Sequence, residues 1–87
     1  MNREMIEQKL HEIYKRVFVL HDLFVNVEYI DLIEDFGMDS ITFITLIVEI
    51  EECYAITLPD DSILMENFRK TSEIINIIEQ CIREKGE

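Results

Sequence analysis

The chain has 87 residues, enough for one small core and too few for a deep active site assembled from distant loops. Hydrophobic residues make up 48% and charged residues 31%, with 2 Gly and 1 Pro, which excludes a disordered chain and the many turns of a sandwich or barrel. Eight Lys and Arg against 19 Asp and Glu give a formal net charge of −11, which repels phosphate backbones and anionic lipid, so no nucleic acid and no membrane surface is expected as a partner.

The acidity itself has two readings: it attracts basic protein surfaces, or it merely keeps a small protein soluble. A single domain over residues 1–87, made of helices joined by a few loops, is the fold expected from composition. Cys53 and Cys81 form neither a CxxC pair nor a disulfide framework. The N-terminal stretch is charged from Arg3 onward, unlike a signal peptide, and no apolar run is long enough to span a bilayer. A reduced, cytoplasmic protein is therefore expected.

Over residues 3–18, Ile6, Leu10, Ile13, Tyr14 and Val17 recur at i, i+4, i+7, i+8 and i+11, the stripe of an amphipathic helix. Residues 19–38 are less regular. Phe24 to Tyr29 alternate weakly, as a lone strand would, but an unpaired strand strands its backbone groups. A long loop is the expected form, with Leu32, Ile33 and Phe36 plugged into the core and one short turn of helix. A connection of this length is more often functional than idle.

Gly37 ends that loop, and Asp39 or Ser40 is suited to cap the next helix, since their side-chain oxygens accept from unpaired backbone N–H groups. That helix, over 41–54, is rich in β-branched residues and needs tertiary packing to stay helical. Residues 55–61 form an extended link broken at Pro59. One short helix is predicted between Asp60 and Phe68, with Ile63, Leu64 and Phe68 as its apolar members. Thr71 or Ser72 is expected to cap a last helix carrying Ile74, Ile75, Ile78 and Ile82, and residues 83–87 are expected to fray.

The helix over 41–54 carries more than a core stripe. Phe43, Leu46, Ile47, Ile50 and Tyr54 complete one face, which leaves Ile41, Ile44 and Val48 on a second. Ser40, Ile44 and Val48 are spaced i, i+4 and i+8, so Ser40 stands at the head of this second stripe, and Glu51 and Glu52 extend it. The stripe is either a docking surface with an acidic rim or the inner side of a helix buried on two faces. Ser40 is likewise either a plain cap or a hydroxyl placed where a phosphate would be favoured.

Other chemistries fail on pattern. Placing Gly37 at the glycine of an EF-hand loop puts Leu32 and Phe43 where its first and last ligands belong, so calcium binding is excluded. There is no GxSxG elbow, and His11 and His21 have no assigned acid partner, so serine hydrolysis is excluded and both histidines read as surface residues. Cys and His are too few for a zinc site, and no metal is expected.

The run Leu32-Ile33-Glu34-Asp35-Phe36-Gly37-Met38-Asp39-Ser40-Ile41 resembles the phosphopantetheine attachment segment of acyl and peptidyl carrier proteins, marked by Leu-Gly-x-Asp-Ser-Leu. The resemblance continues through Leu46, Glu49-Ile50-Glu51-Glu52, Tyr54, Ile56-Thr57-Leu58-Pro59-Asp60, Phe68 and the helix from Thr71 to Ile78, covering essentially the whole chain. It implies an all-α fold, a small four-helix bundle of the acyl-carrier type with three longer helices, one short helix and a long first loop. It also implies a non-catalytic protein.

Ser40 would then receive 4′-phosphopantetheine from coenzyme A through a phosphopantetheinyl transferase. Asp39, the motif aspartate, would shape the helix start and help the transferase activate the serine. Ile41, Ile44 and Val48 match the positions that touch partner enzymes, and Glu51 and Glu52 match acidic contacts to basic partner patches. The partners implied are that transferase and acyl-loading and acyl-processing enzymes (ligase, acyltransferase or synthase), with the carrier a monomer.

Four departures are visible. Ile41 and Phe36 replace leucines of the motif, changes conservative in volume. Thr42 and Thr45 are neutral where fatty-acid carriers have Asp and Glu, which tilts the expectation toward polyketide, nonribosomal peptide or siderophore assembly. The rival reading is an acidic helical adaptor that binds a basic partner without a prosthetic group.

Overall fold

The computed structural model describes residues 1–19 and 29–85, and the elements below lie within them. Four α-helices occur in order: α1 (Arg3–Val17), α2 (Leu32–Phe36), α3 (Ser40–Tyr54) and α4 (Thr71–Glu84). Two 3₁₀ turns, Asp60–Ser62 and Met65–Phe68, lie between α3 and α4, and no strand occurs among the described residues. This is the all-α, acyl-carrier type of bundle that the sequence implied, with three longer helices and one short one. The expected loop or strand over Phe24–Val27 and Glu28, together with His21, Gly86 and Glu87, lies outside the described residues.

The helix directions follow from side-chain bonds. Arg3 at the start of α1 pairs with Glu79 near the end of α4 at 2.8 Å, while Tyr14 near the end of α1 bonds Thr71 at the start of α4. Arg16 likewise pairs with Glu49 at 2.7 Å, and the Tyr54 hydroxyl donates to the Ile6 carbonyl at 2.7 Å. Hence α3 and α4 both run antiparallel to α1 and parallel to each other.

The predicted stripes supply the core. Ile6, Leu10, Ile13 and Tyr14 of α1 meet Leu46, Ile47, Ile50 and Tyr54 of α3 and Ile74, Ile75 and Ile78 of α4, all buried and joined by Cys81, while Val17, Phe43 and Ile82 of the same stripes are half-buried against them. Seven of the 15 residues of α3 are β-branched, and this packing, rather than helix propensity, keeps the segment helical. Phe68 is fully buried and its ring lies 6.0 Å from that of Phe43. Leu32 is buried from α2, while the half-buried Phe36 stacks edge-on to Tyr14 at 6.1 Å.

Four local expectations are corrected. The segment from Asp60 to Phe68 is two turns and not one helix, because the Ser62 carbonyl accepts from the Leu64 N–H at 2.9 Å and the Asn67 side chain at 3.1 Å. Leu64 is 58% exposed, so it is not one of the inward apolar members. The cap position of α4 is Lys70, with no side-chain cap bond, because the Thr71 hydroxyl is spent on Tyr14 and the Thr71 N–H on the Ile30 carbonyl at 3.1 Å. Finally, Arg83 and Glu84 remain helical, and the Lys85 ammonium closes the end by donating to the Ala55 carbonyl, where a cation suits the C-terminal end of α3.

Candidate functional site

Ser40 owes its position to what lies on both sides of it. Upstream, Asp31 caps α2 by accepting from the N–H groups of Ile33 (3.0 Å) and Glu34 (3.1 Å). Arg69 grips the same carboxylate at 3.0 Å, and the Leu32 N–H donates to the Arg69 carbonyl. Burial works against the ionised Asp31, but bonds from Glu34, Arg69 and Ile33 outweigh it and hold its carboxyl below the usual range. Gly37 then closes α2 at φ +66°, where its N–H reaches Ile33 and the Met38 N–H reaches Leu32, both at 3.0 Å. Left-handed backbone of this kind favours glycine, so the turn that delivers Asp39 and Ser40 rests on that residue.

Asp39 is the N-cap of α3. One of its oxygens, Oδ1, accepts from the Thr42 N–H at 2.9 Å and the Thr42 hydroxyl at 3.0 Å, while the Asp39 N–H donates to Thr42 Oγ1 at 2.9 Å. This is a reciprocal capping box. The Thr42 N–H and then its hydroxyl hold the exposed Asp39 carboxyl below the usual carboxylate range.

Ser40 is the first residue of α3, exposed, and its hydroxyl forms no hydrogen bond among the described residues. The cap is therefore Asp39, and the neighbouring serine oxygen is left for other chemistry. From this end the second stripe runs along the helix: Ile41 is 74%, Ile44 62% and Val48 47% exposed. The alternative of a helix buried on both faces does not hold. Between Asp39 and Glu52 the exposed positions of α3 (Ser40, Ile41, Ile44, Thr45, Val48) are all uncharged.

The two glutamates differ. Glu52 is exposed at the far end of the stripe, whereas Glu51 is half-buried and its Oε2 accepts from the Leu58 N–H at 2.9 Å. No periodicity signals that bond, since Leu58 lies beyond the helix. Thr42 stood out in the sequence only as a neutral departure, although its place three residues after Asp39 is the capping-box spacing.

A long arm attached to Ser40 needs an accessible oxygen, an end fixed to a rigid element and no pocket of its own. The residues fit that requirement. A cleft of about 470 Å³ does occur between α1 and α3, but it is lined by Gln8, Lys9, His11, Glu12, Arg16 and Cys53 rather than by Ser40. Half-buried His11 thus lies on that cleft, and among the described residues no acidic partner fixes it. Among the described residues no cluster of His, Cys, Asp or Glu is arranged to hold a metal ion, and no helix is long and apolar enough to cross a membrane.

Comparison with known proteins points the same way. Residues 28–78 match the family model described as a phosphopantetheine attachment site. The chain is 32% identical over 78 residues to the acyl carrier protein of Phytoplasma mali (strain AT), an alignment covering 90% of this chain and 89% of that protein. No solved structure matches. None of these findings favours an adaptor without a prosthetic group.

Proposed function

The chain belongs to the phosphopantetheine-attachment family of acyl carrier proteins, and on that premise we propose that Ser40 is its attachment point and that the exposed face of α3 is its docking surface. Carriers of this family are not enzymes, and their acyl groups ride on a covalently attached 4′-phosphopantetheine. The chemistry supplied by that group is a terminal thiol on a flexible arm, which holds an acyl chain as a thioester. This chain's own residues do the rest: Ser40 anchors the arm, Asp39 fixes the helix start beside it, and Ile41, Ile44 and Val48 meet the partner.

The observation that carries the reading is the exposed Ser40 hydroxyl, unbonded among the described residues, at the head of an exposed apolar stripe. Tethering raises the local concentration of cargo at each docked enzyme without a catalytic site on the carrier. Docking must be weak enough for each visit to end, and a small apolar patch with a single free acid, Glu52, suits a transient contact. Glu51 contributes with less freedom, because one of its oxygens already serves Leu58.

The uncharged run from Ser40 to Val48 favours a specialised pathway (polyketide, nonribosomal peptide or siderophore assembly) over fatty-acid synthesis, whose carriers present acids at Thr42 and Thr45. The partners are a phosphopantetheinyl transferase and acyl-loading and acyl-processing enzymes, met by a cytoplasmic monomer.

Intact mass tests the anchor. After incubation with coenzyme A and a promiscuous phosphopantetheinyl transferase, the unmutated chain should gain the mass of one phosphopantetheine and Ser40→Ala none. No gain on the unmutated chain would end the carrier reading. For the docking face, Ile44→Asp should keep its helical circular dichroism and lose loading by the cognate acylating enzyme. A collapsed helical signal would instead assign Ile44 to the fold.

A further inference from the structure

Thr42 is bound to Asp39 more closely than a helix cap requires. A cap needs one side-chain oxygen to meet one N–H, and the Thr42 N–H on Asp39 Oδ1 already supplies that bond. The Thr42 hydroxyl accepts from the Asp39 N–H, and its one hydrogen is shared between that same Oδ1 at 3.0 Å and the Asp39 carbonyl at 3.2 Å, so the carboxylate and its own backbone are pinned from both ends. Oδ2 takes neither of the Thr42 bonds. The consequence is a carboxylate with restricted rotation, ionised well below the usual range, next in the chain to the exposed Ser40.

We propose that Thr42 is a positioning residue for the modification of Ser40: by holding Oδ1, it presents the other carboxylate oxygen of Asp39 in one orientation to the transferase. This rests on the carrier reading above and goes beyond it, because it assigns a role to a residue whose type departs from the family pattern. In the transfer, Ser40 Oγ forms a bond to the phosphorus that bears pantetheine. The P–O bond to the nucleotide half of coenzyme A breaks, adenosine 3′,5′-bisphosphate leaves, and the serine proton passes to a base. A carboxylate held so readily ionised is a poor final acceptor for that proton. Its use is as a fixed negative charge and hydrogen-bond acceptor that orients the serine hydroxyl and the cationic groups of the transferase.

The hydroxyl can be removed without removing the cap. Thr42→Val keeps the β-branched shape and the backbone N–H, while Thr42→Ser keeps the hydroxyl and loses the methyl. With coenzyme A and a promiscuous transferase, followed by intact mass, Thr42→Val should lower kcat about tenfold, a loss of orientation, while KM for the carrier stays within about twofold. Thr42→Ser should restore the rate. In parallel, the NMR titration of the Asp39 carboxyl in the unmodified protein should move up in Thr42→Val and stay low in Thr42→Ser.

A folded Thr42→Val modified at the unmutated rate overturns the proposal. So does a slowed Thr42→Val that Thr42→Ser fails to rescue, or one in which KM rises and kcat does not, since those mark a frayed helix start. Absence of modification on the unmutated chain is a different failure: it overturns the carrier reading and this inference with it.

Discussion

At the start of α3 the first N–H groups meet Asp39 and Thr42, two exposed or half-exposed side chains three residues apart that bond each other and little else. At the start of α4 the cap position is Lys70, which supplies no side-chain bond, and the first N–H goes to the carbonyl of Ile30 on a distant segment. Thr71 is fully buried there, and its hydroxyl lies 2.7 Å from that of Tyr14. One start is self-sufficient and faces solvent; the other is completed by the tertiary fold. The difference suits their duties. On the proposed reading of Ser40 as the attachment point, the start of α3 must stay regular while partners handle it, so local bonds that need no neighbour are an advantage. The start of α4 instead joins three chain segments.

The comparison can be broken most forcefully at the buried start. Thr71→Val leaves the Tyr14 hydroxyl buried without a partner and should cost roughly 1–3 kcal/mol in urea unfolding. Adding Tyr14→Phe removes the orphaned hydroxyl, so the double variant should be no less stable than Thr71→Val. Additive losses in that cycle would show that the two hydroxyls do not act as a pair.

A smaller effect is expected in alkali. Burial pushes the phenols of Tyr14 and Tyr54 far above their usual range. Their neutral forms are favoured by folding, so this contribution is whole below about pH 10 and is lost as pH rises from there toward the folded-state values, where the unfolded chain alone ionises. The urea midpoint should therefore fall between about pH 9 and pH 11, and fall less in Tyr14→Phe.

The smallest change is expected at the exposed start. Asp39→Ala should lower the melting temperature less than Thr71→Val does. The sign of its pH dependence is opposite to that of the tyrosines. A carboxyl held below its usual range stabilises above about pH 4 and loses that contribution as pH falls through the folded value, so the gap between Asp39→Ala and the unmutated chain should close in acid. A gap that widens on acidification would contradict the hydrogen-bonded carboxylate described here.

Much of the fold was legible because helices bury stripes. The spacing of Ile6, Leu10, Ile13 and Tyr14, and of Leu46, Ile47, Ile50 and Tyr54, is a property of neighbours in sequence, and all eight are buried. The outward set Ile41, Ile44 and Val48 was legible for the same reason, as the remainder once the inward stripe is assigned. The motif around Ser40 was legible as a string of residue types. What sequence reading misplaced at the start of α4 depended on a partner far along the chain. Thr71 looked like a cap because threonine often is one, and nothing nearby reveals Tyr14, 57 positions away.

The same division holds for the site. Gly37, the aspartate cap and the exposed serine follow from φ preferences, capping chemistry and helical period, all of them interactions within a few residues. The engagement of Glu51 with Leu58 and the Arg69 hold on Asp31 do not. Each is settled by where a separate segment comes to rest, and a hydrogen bond between such segments is worth making only after burial of the apolar stripes has brought them together.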